Sequence, residues 1–161
     1  MRLIEFMLEI IQAETAEQIE ETRKIFREYE AWLDLDLCFQ GFEEELANLP
    51  GKYIQPEGRL YLAISDGKVV GCIALRKLEE GICEMKRLYV RDEFRGQKIG
   101  ISLIEKLISE AKEIGYQKLR LDTYPPKMGK AVSLYEAHGF REIEPYYHNP
   151  HGKTLFMELQ L

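Results

Sequence analysis

Apolar positions return along this chain with two different periods, and the change between them divides it. Ile19, Thr22, Phe26, Tyr29 and Leu33 recur at steps of three and four against a face rich in Glu and Arg, which predicts one helix over Ala16–Leu33 with a single buried stripe. Thr15, with Gln18 three residues on, supplies a capping-box start, and residues 7–11 ahead of it read as a first strand. Trp32, near the end of that helix, reads as a packing residue. A second, short helix is expected over residues 42–49, stopped by Pro50-Gly51. From Leu60 the period is two. Leu60, Leu62 and Ile64 alternate before Asp66-Gly67, and Val69, Gly71, Ile73 and Leu75 alternate after it, as in a hairpin. Glu79-Glu80-Gly81 marks another turn, so residues 81–90 make the third of three antiparallel strands.

The helical period then returns. Leu103, Ile104, Leu107, Ile108, Ala111 and Ile114 share one face of a helix over residues 101–114, which Gly115 ends. Leu119, Leu121 and Thr123 alternate with Lys118, Arg120 and Asp122 in a strand that can lie parallel to the one before the helix, giving a βαβ unit. Tyr124-Pro125-Pro126 breaks the chain. A short helix over residues 129–138, capped by Gly139, precedes closing strands at 141–143 and 155–159.

Between the third antiparallel strand and its helix runs Arg95-Gly96-Gln97-Lys98-Ile99-Gly100. The first N–H groups of a helix lack intrahelical partners and carry the positive end of its dipole, so a glycine-bearing loop there can wrap an anion. The loop fits neither G-x-G-x-x-G nor G-x-x-x-x-G-K-[ST], and two glycines at a helix entry also arise for structural reasons alone.

Composition narrows the choice. A chain of 161 residues, 45% apolar, can bury a core as one domain without metal or disulfide. A net charge of −6 argues against nucleic acid and anionic membrane as partners. No stretch approaches the roughly 18 apolar residues that span a bilayer, and Glu5 and Glu9 interrupt the apolar start, against a signal peptide. Cys38, Cys72 and Cys83, odd in number and widely spaced, suit reduced thiols in a cytoplasmic protein. His138, His148 and His151 lack an accompanying cluster with ligand spacing, so no metal site is expected, and His138 reads as a helix end.

The order of elements resembles the GNAT superfamily of N-acetyltransferases over essentially the whole chain. Arg95-Gly96-Gln97-Lys98-Ile99-Gly100 is similar to the family's acetyl-CoA loop, Q/R-x-x-G-x-G/A, at its first and last positions, with Lys98 where the central glycine is usual. The segments Glu84-Met85-Lys86-Arg87-Leu88-Tyr89-Val90, Leu121-Asp122-Thr123, Ala131-Val132-Ser133-Leu134-Tyr135-Glu136 with Gly139-Phe140-Arg141, and Pro145-Tyr146-Tyr147 carry the same likeness. The resemblance implies an α/β fold, a mostly antiparallel mixed sheet with a βαβ unit and flanking helices, in a single N-acetyltransferase domain over residues 1–161. It implies direct attack of an amine on the thioester of acetyl-CoA. The cofactor's pantetheine would lie between the strand ending at Leu88, Tyr89 and Val90 and the strand 119–123. Arg95, Gly96, Gln97, Lys98, Ile99, Gly100 and Ile101 would hold its pyrophosphate, and Tyr135 would be the general acid, although it also reads as an aromatic packed beside Phe140.

Glu84 and Asp122, on the two central strands, are candidates for the base, or else solvated strand residues or salt-bridge partners of Lys86 or Arg120. Lys86 and Arg87 alternate in direction along a strand, so one of them faces the cleft and can hold a substrate carboxylate. Asp34, Asp36 and Glu43-Glu44-Glu45 can instead draw in a polyamine or a lysine, or form a solvated face. Thr123 is expected at the acceptor pocket, and Tyr146, Tyr147 and Asn149 either line it with Thr123 or pack a loop crossing the last strands. A sensor that binds acyl-CoA without turnover is the alternative function. Residues 155–159 are a candidate for pairing across a homodimer.

Overall fold

Thr15 accepts a hydrogen bond from the Gln18 N–H (3.1 Å) while the Gln18 side chain accepts from the Thr15 N–H (3.0 Å), so both halves of the capping box are made and the first helix starts where its sequence says. The computed structural model describes residues 8–161; Met7, at the head of the expected first strand, lies outside them. The elements run β1 (Leu8–Gln12), α1 (Ala16–Leu33), α2 (Phe42–Ala47), β2 (Arg59–Ser65), β3 (Lys68–Glu79), β4 (Ile82–Val90), α3 (Ile99–Ile114), β5 (Lys118–Thr123), α4 (Pro125–Ala137), β6 (Arg141–Ile143) and β7 (Leu155–Gln160). Single 3₁₀ turns fall at Cys38–Gln40, Gly51–Tyr53 and Asp92–Phe94.

The strands form one mixed seven-stranded sheet in the order β1-β2-β3-β4-β5-β7-β6. Every neighbouring pair is antiparallel except β4 and β5, which α3 joins as the expected βαβ unit. On one face Ile99, Leu103, Ile104, Leu107 and Ala111 of α3 cover Ile73, Leu75, Cys83, Met85, Leu119 and Leu121. On the other, Ile25, Phe26 and Tyr29 of α1 and Phe42 and Leu46 of α2 cover Leu60, Leu62, Cys72 and Ala74. Each Leu, Ile, Phe or Met side chain among them contributes about 1.5–3 kcal/mol by leaving water, and the helices are fixed to the sheet by these contacts.

Three expectations are corrected. Helix α4 begins at Pro125, four residues early, because prolines in a first turn give up only N–H groups that have no helical partner; Met128 then leaves the helical region (φ −118°, ψ 31°) before the turns that follow. Helix α3 begins at Ile99, two residues early, after Lys98 takes a left-handed conformation. Strand β7 is not a free edge: β5 pairs with one side of it and β6 with the other over Phe156–Glu158, so the sheet ends at β1 and β6.

Candidate active site

Strands β4 and β5 pair only where Ile82, Cys83 and Glu84 meet Lys118, Leu119 and Arg120. Beyond that point they part, which leaves the β5-facing edge of β4 from Met85 to Val90 without a strand partner. The cause lies in the register of β4 against β3. Lys86 pairs with Ala74 and Tyr89 with Cys72, so Arg87 and Leu88 together stand opposite Ile73 alone. This is a β-bulge, with Arg87 at φ 63°, and a bulge bends the strand that carries it.

The bulge overturns the expectation that Lys86 and Arg87 face opposite ways. One extra residue shifts the alternation by one, so both side chains reach the same face and both donate to Gln40 Oε1, Lys86 Nζ at 3.1 Å and Arg87 Nη1 at 2.8 Å. Arg87 is 4% exposed. Its Nε and Nη2 grip both Glu45 oxygens at 3.0 Å, the Tyr53 hydroxyl donates to Glu45 (2.9 Å), and the Phe42 ring lies under the guanidinium. Glu45, one of three consecutive glutamates, is thereby committed to a buried ion pair; Glu43 meets Arg27 at the surface.

Glu84 is 1% exposed and bonded to Arg76 (2.9 Å), its cross-strand partner, to the Tyr146 hydroxyl (2.6 Å) and more distantly to Lys86 (3.8 Å). Burial alone would push this carboxyl up, but Lys86, Arg76 and Tyr146 outweigh it and hold Glu84 below the usual carboxylate range. Burial and the adjacent Arg87 charge pull the Lys86 ammonium below its ordinary value. Asp122 is differently placed. It accepts a short hydrogen bond from the Tyr147 hydroxyl and a longer one from Gln40 Nε2 (3.5 Å), whereas Arg120 turns to Glu158 (2.8 Å). Burial first, then the Asp122 charge, pushes the Tyr147 phenol up, so it stays protonated and donates.

The cleft opened by the parting strands is lined by Leu88, Asp122, Thr123, Met128, Tyr135 and His151, among others. Tyr135 is 3% exposed, with Phe140 beside its ring (5.5 Å between centroids), so its packing role and its place in the cleft coexist. Burial, reinforced by Tyr29 and Asp122, raises its phenol well above the ordinary value, and it holds its proton at neutral pH. Tyr89 packs its ring on Tyr29 and Trp32, leaving its backbone to β4. Trp32 also meets Arg95, whose guanidinium stacks at 4.6 Å from the ring centre while Nε donates to Val90 O (3.0 Å). Arg95 therefore braces the loop against the strand end. Gly96 is at φ 83° and Lys98 at φ 63°, and no side chain caps α3, so the first N–H groups of the helix are open to an anion beside exposed Gln97 and Lys98. Ile99 is buried in the core, and a Cβ on Gly100 would meet nothing closer than 3.9 Å.

Residues 12–140 match the sequence model of the acetyltransferase (GNAT) family. The chain belongs to the GNAT family of acetyltransferases. An N-acetyltransferase of Schizosaccharomyces pombe is 38% identical, covering 90% of both chains, and one of Dictyostelium discoideum is 34% identical, covering 92% of this chain and 97% of that one. Among solved structures, a GNAT acetyltransferase of Staphylococcus aureus Mu50 superposes with a TM-score of 0.77 at 25% identity, over 96% of this chain and 99% of that one. The PaiA N-acetyltransferase of Thermoplasma acidophilum, solved with coenzyme A, shares the fold (TM-score 0.74, 20% identity, 96% and 99% covered).

In this GNAT enzyme the glycine loop lies on one continuous segment, whereas the polar cluster is assembled from six. Sequence reasoning missed Gln40, Tyr29 and Arg76 in that cluster. Arg76 was hidden by a register shift: a regular count back from the Glu79-Glu80-Gly81 turn puts Lys77 opposite Glu84, but an irregularity between Lys77 and Glu79 brings Arg76 there instead. Nothing in residue type signals Gln40. Among the described residues no helix is long and apolar enough to cross a membrane, and no group of three His, Cys, Asp or Glu side chains is arranged to hold a metal.

Proposed function

We propose that this protein transfers the acetyl group of acetyl-CoA to a primary amine by direct attack, in one domain spanning the chain. The observation that carries the reading is the unpaired edge of bulged β4, which runs from a cleft holding Tyr135 and Asp122 to the uncapped start of α3. The residues fit such a ligand along its length. Backbone N–H groups from Gly96 to Ile101, with Lys98, would hold a pyrophosphate, and the edge of β4 at Leu88, Tyr89 and Val90 would take an extended arm. Acetyl-CoA, when bound, supplies an activated acyl thioester.

The rest is the work of the side chains. The incoming amine gives up a proton, for which Asp122 at the cleft is the better-placed acceptor; Glu84, held low by two cations, serves to fix Lys86 and Arg76. Backbone N–H groups at Leu88 to Val90 favour the charge that gathers on the thioester oxygen. Tyr135 returns a proton to the departing sulfur, so the C–N bond forms as the C–S bond breaks and one proton moves from amine to thiol overall.

The test is thiol release from acetyl-CoA with a panel of primary amines, alongside calorimetric binding of acetyl-CoA. Tyr135→Phe should lose about 10²–10⁴-fold in kcat and keep its affinity for acetyl-CoA. A variant as fast as the parent removes Tyr135 from the chemistry. A parent that binds acetyl-CoA and turns over no amine is the behaviour of a sensor.

A further inference from the structure

The Gln40 side chain is held at both ends by groups of opposite character. Its carbonyl oxygen receives the ammonium of Lys86 (3.1 Å) and the guanidinium of Arg87 (2.8 Å). Its NH₂ points at the Asp122 carboxylate (3.5 Å) and the Tyr147 oxygen (3.4 Å); Tyr147 donates its own proton to Asp122, and its oxygen also accepts from Asn149 Nδ2 (3.1 Å). The charges of the partners dictate which way the amide points. A neutral carboxamide thus joins a cationic pole to an anionic one across the floor of the cleft.

Gln40 and Lys86 line the cleft with Tyr135 on one side and, on the other, a cavity of about 490 Å³ walled by Asn48, Lys52, Tyr53, Arg76, Leu78 and Tyr146. Gln40 and Lys86 are shared by the two linings. A group with a full negative charge at one end and a full positive charge at the other would satisfy the same partners better than neutral Gln40 does, since Coulomb attraction then adds to each hydrogen bond. An α-amino acid offers a carboxylate and an ammonium one bond further apart than the two ends of an amide, the smallest increase available.

We propose that Gln40 occupies the acceptor subsite as a stand-in, and that the acceptor is a free α-amino acid whose carboxylate takes Lys86 and Arg87 and whose amine takes Asp122 and Tyr147 as Gln40 swings out. This rests on the amine-acetylation reading above and names its substrate class. Asp122 of the amine pole lines the Tyr135 cleft, where the thioester would be met, as do Lys86 and Arg87; Tyr147 lines the 490 Å³ cavity, which the amino acid's side chain enters. Arg87 is fixed by Glu45, so Lys86 is the pole that adapts. Only the Gln40 rotamer has to change. The displaced bonds lower the apparent affinity for the acceptor by the fraction of molecules in which Gln40 is in place.

Two measurements on the full chain test this. Calorimetric titration of amino acids into the protein saturated with coenzyme A requires no turnover. Amino acids should bind, their decarboxylated amines should bind at least 100-fold more weakly, and Gln40→Ala should bind amino acids about threefold to tenfold more tightly. Thiol-release rates should follow: Lys86→Met should raise KM for amino acids relative to KM for the decarboxylated amines, narrowing the difference between them. Amines or amino-terminal peptides that match amino acids in kcat/KM would sink the free amino acid and leave acetylation of an amine intact. Tighter binding lost rather than gained in Gln40→Ala would make Gln40 a substrate ligand and end the stand-in. Amino acids that bind as described with no thiol release from any acceptor would uphold the subsite and defeat the proposed reaction.

Discussion

The loop from Arg95 to Gly100, just past the end of β4, and the cluster around Arg87, on β4 itself, are built on opposite principles. The loop presents backbone: its N–H groups belong to one short segment, its side chains are exposed at Gln97 and Lys98, and its shape is set by left-handed residues at 96 and 98. The cluster presents charge: Gln40, Glu45, Arg76, Glu84, Lys86, Arg87 and Asp122 come from the α1–α2 connection, α2, β3, β4 and β5, and Tyr146 and Tyr147 close it from the β6–β7 connection. A backbone site tolerates side-chain change and suits a ligand part that never varies. A charge site fails when one member is removed, and it can be retuned to a different acceptor.

The contrast breaks most visibly at Glu45. Arg87 has 2% of its side chain exposed, so removing its partner strands a buried cation, and Glu45→Leu should cost about 3 kcal/mol, read as the shift of the urea midpoint at unchanged slope. Adding Arg87→Met should return most of that loss, because a buried pair replaced as a unit by apolar groups is close to neutral. A single substitution costing under about 1 kcal/mol would mean that Gln40, Tyr53 and water already satisfy Arg87, and that the cluster is no more brittle than the loop.

Acid probes the same cluster more gently. The carboxyl of Glu84 is depressed in the folded protein, so its contribution to stability is complete above its unfolded value near about 4.3 and is lost as pH falls through the lower folded value. Denaturation midpoints taken at neutral pH and again below about pH 4 should therefore fall less in Glu84→Gln than in the parent. Equal falls would show that other carboxylates govern the acid limb.

How much of each region was legible follows from its construction. The loop was readable because glycine spacing after an alternating strand and before an amphipathic run is a local pattern. The sheet was readable for the same reason, through the Asp66-Gly67 and Glu79–Gly81 turns. The bulge was not, since Arg87 is an ordinary strand residue by type and only its pairing against Ile73 gives it a positive φ. Once that residue is misplaced, the faces of Lys86 and Arg87 come out wrong, and Gln40, whose meaning depends on both, cannot be found. Asp122 and Glu84 were recognised as a pair of candidates, but their difference is the work of Arg76 and Tyr147, distant in sequence from one or both.

Within the loop, smaller effects sharpen the picture. Gly96→Ala puts a Cβ on a residue at φ 83° with open space around it, so the cost is purely of backbone conformation, about 1 kcal/mol. Gly100→Ala goes the other way: its φ is not in the left-handed region, the nearest atom to a Cβ is Val90 Cγ2 at 3.9 Å, and alanine in a helix stabilises by about 0.5–1 kcal/mol. Thermal midpoints of the two variants should fall on either side of the parent. Midpoints that fall together would mean that the loop rearranges when either glycine is changed.

Lys98 carries the smallest expected change and the sharpest question about the loop. At φ 63° a lysine costs about 1 kcal/mol that glycine would not, while glycine gives back about 0.5–1 kcal/mol through the greater freedom of the unfolded chain, so Lys98→Gly should leave stability within about 0.5 kcal/mol of the parent. Affinity is where the two residues differ. The lysine adds a charge beside the open end of α3, and its removal should weaken acetyl-CoA binding about twofold to fivefold, an effect that shrinks as salt is raised. Binding that tightens instead, at every salt concentration, would show that the Cβ of Lys98 holds the pyrophosphate away from the backbone, and that the loop works by close approach alone, with no help from charge.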